Sequence, residues 1–339
     1  MSYKAAAREI HQGQVKPVYV CYGTEKYLMD EFVTYTIHQL IEPDYMDFAL
    51  SKFDMAETRL EEVIDDAETP PFLAPRKVVI AKDATFLTAA KDNGKLEHRI
   101  ERLLEYMDKP VEGAVIVFTV AAEKLDERKK IVKQLKERAA LIPFQALSAE
   151  ELAQWVERKA EQLHSVITRV TAEQLIRNAG TSLQTLSAEL EKMSLYVGKE
   201  GTITGDIVEN MVVRSTEQNV FLMIEELAQL RTEKAMRIFY DLLKMREEPI
   251  KLIALIARQF RIMLQVKEMT QQGYSQQQTA QQLSLHPYGV KVAAEQGRKF
   301  EMKRLASILS ELAELDYRMK SGKIDKVLGL ELFLLRMAG

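Results

Sequence analysis

The sequence predicts an α/β domain built on a parallel sheet, followed by two all-helical domains. Three observations carry this. Short apolar, β-branched runs alternate with helical patterns from Met1 to about position 147, as in a parallel sheet with helices on both faces. From Ser148 onward every element reads as helix. Leu, Met, Glu, Gln, Lys and Ala are abundant while Gly (14) and Pro (9) are few, which favours a mostly helical chain.

In the first domain, 1–147, Ser2 to Gln12 reads as a short amphipathic helix and Pro17 to Tyr22 as the first strand. A turn follows at Gly23, with Thr24 as N-cap of a helix over Glu25–Glu42. The stretch Tyr45–Phe53, with Phe48, Leu50 and Phe53 as its apolar positions, contains a second strand. A helix spans Thr58–Ala67, since Leu60, Val63 and Ile64 share one face. Val78–Ala81 is a buried strand, Lys95–Tyr106 a helix, and Ala114–Phe118 a strongly buried strand. A basic helix over Leu125–Arg138 and a strand over Leu141–Ala146 complete the domain.

Parallel sheets bind ligands at the carboxyl ends of their strands, so the turn after the first strand is where a phosphate loop belongs. Such a loop needs a second glycine, a lysine and a hydroxyl at fixed offsets, because backbone donors wrap the phosphates and the lysine reaches them. Counting from Gly23, those positions hold Leu28, Met29 and Asp30. Two bulky apolar residues replace the cradle, and Asp30 repels a phosphate. After the third strand an ATPase wants a paired Asp-Glu for magnesium and water; here Asp83 is followed by Ala84. Thr119, at the end of the next strand, reads either as a structural threonine or as a polar sensor. The nucleotide fold is expected without its catalytic equipment.

One connection stands out. In Thr69-Pro70-Pro71-Phe72-Leu73-Ala74-Pro75-Arg76-Lys77, three prolines stiffen the backbone around two large apolar side chains. Phe72 and Leu73 have two destinations: a local core under the loop, or a preformed plug for a partner's pocket, which loses little entropy on docking. The basic stretch Arg128-Lys129-Lys130, Lys133, Lys136 and Arg138 reads as a DNA contact or, interleaved with Glu127 and Glu137, as a solvated face. Arg258, Arg261 and Lys267 carry the same two readings.

The middle domain, 148–214, begins with a capping box, Ser148 as N-cap and Glu151 at N3, on a helix reaching about His164. Thr171 caps a helix ending at Gly180, Ser182–Tyr196 is a third, and Thr204 caps a fourth to Arg214. The last domain, 215–339, holds helices over Asn219–Leu230, Glu233–Met245 with Thr232 as cap, Ile250–Thr270 behind Pro249, Pro287–Phe300 and Glu301–Lys320; the glutamine-rich Gln271–Gln282 between them reads as a loop or, over Ser275–Leu283, as a short helix. A final helix, Ile324–Met337, is apolar enough to be expected buried, in its own domain's core or against another subunit.

Composition sets the outer bounds. The 339 residues carry 47 basic and 50 acidic side chains, a net charge of −3, so no global nucleic-acid signature exists. A single cysteine, Cys21, excludes a disulfide and a cysteine metal cage, and the five histidines show no ligand spacing. Met1–Ile10 has no signal-peptide pattern and no apolar run approaches membrane length, so a cytoplasmic protein without a membrane partner is expected.

Taken together, the chain resembles the delta subunit of bacterial DNA polymerase III. The resemblance rests on Pro17-Val18-Tyr19-Val20-Cys21-Tyr22-Gly23-Thr24-Glu25, on Phe72 through Ile80, and on Gly180-Thr181-Ser182-Leu183 through Lys192. It continues in Arg258-Gln259-Phe260-Arg261, His286-Pro287-Tyr288 and Asp316-Tyr317-Arg318-Met319-Lys320-Ser321-Gly322. It implies an AAA+-like fold with a degenerate phosphate loop, a helical lid and a helical collar. It implies no cofactor, no metal and no ATPase activity of the chain alone, only membership of a DNA-directed DNA polymerase complex. The implied function is to bind and open the sliding clamp (the beta subunit) for loading onto primed DNA. The implied partners are that clamp, the tau/gamma ATPase subunits, delta-prime, and DNA through the assembled loader. The residues matching the family's clamp-binding pair are Phe72 and Leu73, flanked by Pro71, Ala74, Pro75 and Arg76, with Lys77 adding positive charge. The family pair is often Leu-Phe or two aromatics, and here the order is Phe-Leu. The rival readings are an active AAA+ ATPase, an unrelated α/β enzyme, and another replication adaptor of the same fold, such as a helicase-loader-like protein.

Overall fold

The computed structural model describes residues 1–70, 74–90 and 96–337. The chain divides into two compact units, Met1–Ala146 and Leu147–Gly339. In the first, the elements run α1 (Tyr3–His11), β1 (Val18–Gly23), α2 (Lys26–Leu40), α3 (Met46–Ala49), β2 (Leu50–Asp54) and α4 (Leu60–Glu68). They continue with β3 (Lys77–Lys82), α5 (Ile100–Asp108), β4 (Ala114–Val120), α6 (Lys130–Arg138) and β5 (Ala140–Phe144). The five strands form one parallel sheet in the order β2-β3-β4-β1-β5.

Strand side chains alternate between two covered faces, which is why β1, β3 and β4 read as continuous apolar runs. Val18, Val20, Val79, Ile116 and Phe118 meet Leu60, Ile64, Leu103, Val132 and Leu135 of α4, α5 and α6. On the other face Tyr19 and Phe32 approach each other at 6.5 Å between ring centroids, and Phe144 lies 5.8 Å from both Phe32 and Tyr3. Cys21, central on β1, is fully buried, and burial pushes its thiol up from the ordinary range.

Several boundaries differ from expectation. α2 takes Glu25 as N-cap, not Thr24, because the Glu25 N–H is already tied to the carbonyl of Phe144 at 2.9 Å. Residues 46–49 are helical and β2 starts only at Leu50, leaving Phe48 61% exposed. α5 starts at Ile100, not at position 95: His98 Nδ1 accepts from the Leu60 N–H at the start of α4, and Arg99, the N-cap of α5, donates its N–H to the Glu61 carboxylate. α6 starts at Lys130, not Leu125, because the Asp126 carboxylate gathers the N–H and guanidinium of Arg128 into a turn. That contact holds the Asp126 carboxyl down at about 2.

The second unit holds α7 (Ala149–Gln162), β6 (Val166–Ile167), α8 (Arg169–Ala179), α9 (Leu183–Val197), β7 (Thr202–Ile203) and α10 (Gly205–Met211). Then come α11 (Thr216–Ala228), α12 (Thr232–Lys244), α13 (Pro249–Gln271), α14 (Gln276–Leu283), α15 (Pro287–Gly297), α16 (Met302–Lys320) and α17 (Lys326–Met337). The Ser148–Glu151 capping box forms as expected. Thr168, not Thr171, caps α8: its hydroxyl accepts from the Thr171 N–H and bonds the Thr171 hydroxyl at 2.9 Å. Arg231, rather than Thr232, is the N-cap of α12. A two-stranded parallel ladder, β6 with β7, sits in what reads from sequence as a purely helical module.

α13 runs through the centre of the carboxyl-terminal core, with Leu252, Ile256, Phe260 and Met263 fully buried. The last helix is divided. Gly329, Leu330, Phe333 and Leu334 enter this core, while Leu328, Leu332 and Leu335, one helical stripe, remain substantially exposed. No helix among the described residues is long and apolar enough to cross a membrane.

Two outcomes follow. Phe260→Ala removes a fully buried ring from the centre of α13 and is expected to cost about 3–5 kcal/mol, whereas Phe48→Ala costs below about 0.5 kcal/mol; denaturant titration compares them. The second concerns His286, whose Nδ1 accepts the Tyr288 N–H and so caps α15. Burial pulls this imidazole down to about 4 from its ordinary 6.5. The unfolded chain therefore takes up the proton first as pH falls. Stability is full above about pH 6.5 and declines by about 3 kcal/mol toward pH 4. His286→Asn keeps a capping acceptor without titrating, so its urea midpoint loses this component of the pH dependence.

Candidate functional site

At the carboxyl end of β1 the place of a phosphate loop is occupied by the protein itself. β5 pairs with β1 so that Gly23 lies opposite Phe144. Gly23 has φ +148°, and a Cβ there would fall inside the Phe144 carbonyl group. The glycine is thus required by the close approach of β5. Leu28 and Met29 are buried core residues of α2, and Asp30 is exposed. Glu25, half-buried at the helix start, occupies the end that favours an anion, and burial lifts its carboxyl above the ordinary carboxylate range.

Beyond β3 the second set of catalytic positions is equally committed. Asp83 is exposed in a left-handed conformation, φ +56°. Ala84 is fully buried, and its N–H donates to the Thr119 carbonyl at 3.0 Å. Thr119 lies within β4, which extends to Val120. Among the described residues no group of three or more His, Cys, Asp or Glu side chains could hold a metal ion.

Pro71, Phe72 and Leu73 lie outside the described residues. The chain on either side is tied down. Thr69 caps the end of α4, its hydroxyl donating to the Asp65 carbonyl at 3.0 Å. Pro75 is exposed, and Ala74 and Arg76 are half-buried. Lys77 departs from expectation: it is no charged flank but a buried strut, 6% exposed. Its ammonium donates to the Asp66 carbonyl at 2.7 Å and pairs with the Asp66 carboxylate at 2.9 Å, while its N–H donates to the Gly113 carbonyl at 2.8 Å. One ion pair therefore joins the last turn of α4 to the first residue of β3. A lysine opening an apolar strand was the only sequence signal for it. Arg102 braces α4 from α5, reaching Asp65 and Glu68 at 3.0 Å each.

The basic patch divides in the same way. Arg128 is forked onto Asp126, Lys129 donates to the Phe86 carbonyl at 2.7 Å, Lys136 pairs with Glu127 at 2.6 Å, and Arg138 pairs with Asp108. Lys267 caps the end of α15 and the following turn through the carbonyls of Gly297 and Phe300, at 2.9 and 2.6 Å. Arg258 touches Glu217 at 3.4 Å, and Arg261 is exposed.

These features define a class: a nucleotide-type parallel-sheet domain whose phosphate position is filled by its own backbone and side chains, continued by a mainly helical unit. The family model described as DNA polymerase III, delta subunit, matches residues 19–145, and the model of the delta subunit's C-terminal domain matches residues 217–337. The chain belongs to the DNA polymerase III delta-subunit family. It is 41% identical over 330 residues to DNA polymerase III subunit delta of Bacillus subtilis (strain 168), covering 97% of this chain and 95% of that one. It is 21% identical over 258 residues to a probable DNA polymerase III subunit delta of Aquifex aeolicus, covering 76% and 72%. The solved Bacillus subtilis DNA clamp loader delta protein superimposes with a TM-score of 0.75 at 40% identity, over 99% of each chain. The parallel-sheet α/β domain followed by a mainly helical unit, expected from sequence, is the observed architecture.

Lys77→Met leaves the Asp66 carboxylate without its cation and is expected to destabilise the first unit by about 1–3 kcal/mol. In a double-mutant cycle with Asp66→Asn, the second substitution costs less once the first is made; additive losses would show that the pair is not coupled.

Proposed function

We propose that this chain is the non-catalytic delta subunit of the bacterial clamp loader, and that it binds and opens the sliding clamp for loading onto primed DNA. The observation that carries the reading is a complete sheet whose phosphate position is closed by Gly23 against Phe144 and by the buried Leu28 and Met29. Such a domain keeps the shape of a nucleotide machine for binding, and membership of the delta family supports the sliding clamp as what it binds. It contributes to the polymerase complex without hydrolysing ATP itself.

On this reading Phe72 and Leu73 insert into the clamp, with Pro71, Ala74, Pro75 and Arg76 around them. The prolines limit the entropy lost on docking, and the Asp66–Lys77 strut ties together the two elements that flank the segment. Burying the two side chains contributes roughly 1.5–3 kcal/mol each, the scale of an interface hot spot. A partner that binds the open ring better than the closed one shifts the ring's equilibrium by that difference. Residues 148–214 act as the lid and 215–339 as the collar. The exposed stripe Leu328, Leu332 and Leu335 suits contact with the tau/gamma or delta-prime subunits. The commitment of Arg128, Lys129, Lys136 and Arg138 to internal partners favours DNA contact through the assembled loader over contact by this basic stretch alone. Its working place is the bacterial cytoplasm.

The deciding measurement is surface plasmon resonance against the sliding clamp of the same organism. Phe72→Ala with Leu73→Ala is expected to weaken binding about a hundredfold or more, equivalent to about 2.7 kcal/mol, with the circular dichroism spectrum unchanged. Unchanged affinity would return the pair to a local core. A wild-type chain that does not bind the clamp would favour another replication adaptor of this fold.

A further inference from the structure

Three of the stretches that carry the family resemblance converge in the second unit, far in sequence from the clamp-binding segment. Gly180 and Thr181, Arg258 and Gln259, and Tyr288 line one cavity of about 280 Å³ between α8, α11, α13 and α15. Its floor is apolar and only half covered: Phe221, Leu255, Ile262, Leu285 and Val292 all keep part of their surface in solvent. Apolar residues at 255 and 262 with Arg258 and Gln259 between them place one face of α13 along the cavity.

The rim is cationic on two sides. Arg177 comes from the last turn of α8 and lies against the Tyr288 hydroxyl, and it pairs with no carboxylate among the described residues. Among the described residues Arg258 meets Glu217 alone, at 3.4 Å, and both side chains are more than half exposed, so this pair is weak and open to exchange. Tyr288 is 7% exposed, and its hydroxyl donates to the Glu173 carbonyl at 3.5 Å. Its ring is therefore unavailable for base stacking.

Size and charge narrow the occupant. Ligand pockets typically enclose about 300–1,000 Å³, so this cavity sits at the small end and admits one or two side chains. A single-strand nucleic-acid site wants stacking platforms along a continuous positive groove. Here Glu217 interrupts the rim, and the floor is mostly aliphatic. Guanidinium groups beside an apolar floor complement a carboxylate next to a large apolar side chain, the arginine fork giving geometry and the floor giving area. We infer that this cavity is a docking pocket for a flexible peptide segment of a partner protein, which inserts one large apolar side chain and sets a neighbouring carboxylate on Arg177 and Arg258.

The test uses the full chain with labelled Ile, Leu and Val methyl groups, observed by NMR. Two probes are titrated: the blocked peptide acetyl-Gly-Asp-Leu-Phe-Asp-Gly-amide and its counterpart with both Asp replaced by Asn. The acidic peptide is expected to shift the methyls of Leu255, Ile262, Leu285 and Val292 saturably, and to bind about tenfold more tightly than the neutral one. Arg177→Met with Arg258→Met, both at exposed positions, should bring the two peptides to the same affinity while the spectrum stays folded. The inference is overturned by no saturable shift at those methyls, by equal affinity of the two peptides for the unaltered chain, or by a preference that survives the double substitution. Shifts produced there by single-stranded oligothymidylate and not by the acidic peptide would overturn it in favour of nucleic acid. Clamp binding is measured separately and through residues of the first unit, so the two readings fail independently.

Discussion

The carbonyl of Phe144 sits where a side chain at position 23 would have to be. That single approach of β5 to the end of β1 fixes three things together. It sets the register of the edge strand, since Gly23 pairs with Phe144. It positions the start of α2, because the Glu25 N–H turns to the same carbonyl. It also seats the Phe144 ring between Tyr3 and Phe32, which brings α1 and α2 onto one face of the sheet. A phosphate-binding loop needs its backbone donors free and aimed at one point. In this chain a donor is already spent on the neighbouring strand, and the space behind it is filled.

The charged side chains follow a similar economy. Arg102 gathers Asp65, Glu68 and Glu105, and Arg169 gathers Glu150, Glu157 and Glu173. Each joins elements that are separate in sequence, and each is only partly exposed. Lys77 and Lys129 spend their ammonium groups on backbone carbonyls across the first unit, and Lys267 does so in the second. With so many cations committed internally, a stretch such as Arg128-Lys129-Lys130 is a poor guide to a nucleic-acid surface. Arg177, with no carboxylate partner among the described residues, and Arg258, with the single exposed Glu217, are held less firmly than these.

Much of the fold is readable from residue pattern. β1, β3 and β4 are continuous apolar runs because both their faces are covered, and the capping box at Ser148 names its helix start locally. The emptiness of the phosphate loop is equally a matter of sequence, since Leu28, Met29 and Asp30 stand where other chemistry is required. What escapes the pattern depends on partners distant along the chain. Residues 98 and 99 look helical until both are tied to the first turn of α4, His98 by accepting the Leu60 N–H and Arg99 by donating to Glu61. Thr168 and Thr171 are both competent caps, and only the turn after β6 selects the first. β6 and β7 are two residues long and are joined across a pair of helices, so they carry no periodicity at all. The roles of Gly23 and Lys77 belong to the same group: glycine and lysine are visible, but the strand and the aspartate that explain them are not adjacent.

The placement of Cys21 has a practical consequence. The chain has one thiol, and it lies in the middle of the central strand with no exposed surface, held in its unreactive protonated form. A folded molecule therefore already behaves toward thiol reagents as though it had no cysteine. A single cysteine added to an exposed surface becomes a unique attachment point for a fluorophore or cross-linker without altering the core. The native thiol remains as an internal clock, reacting only when the sheet itself comes apart.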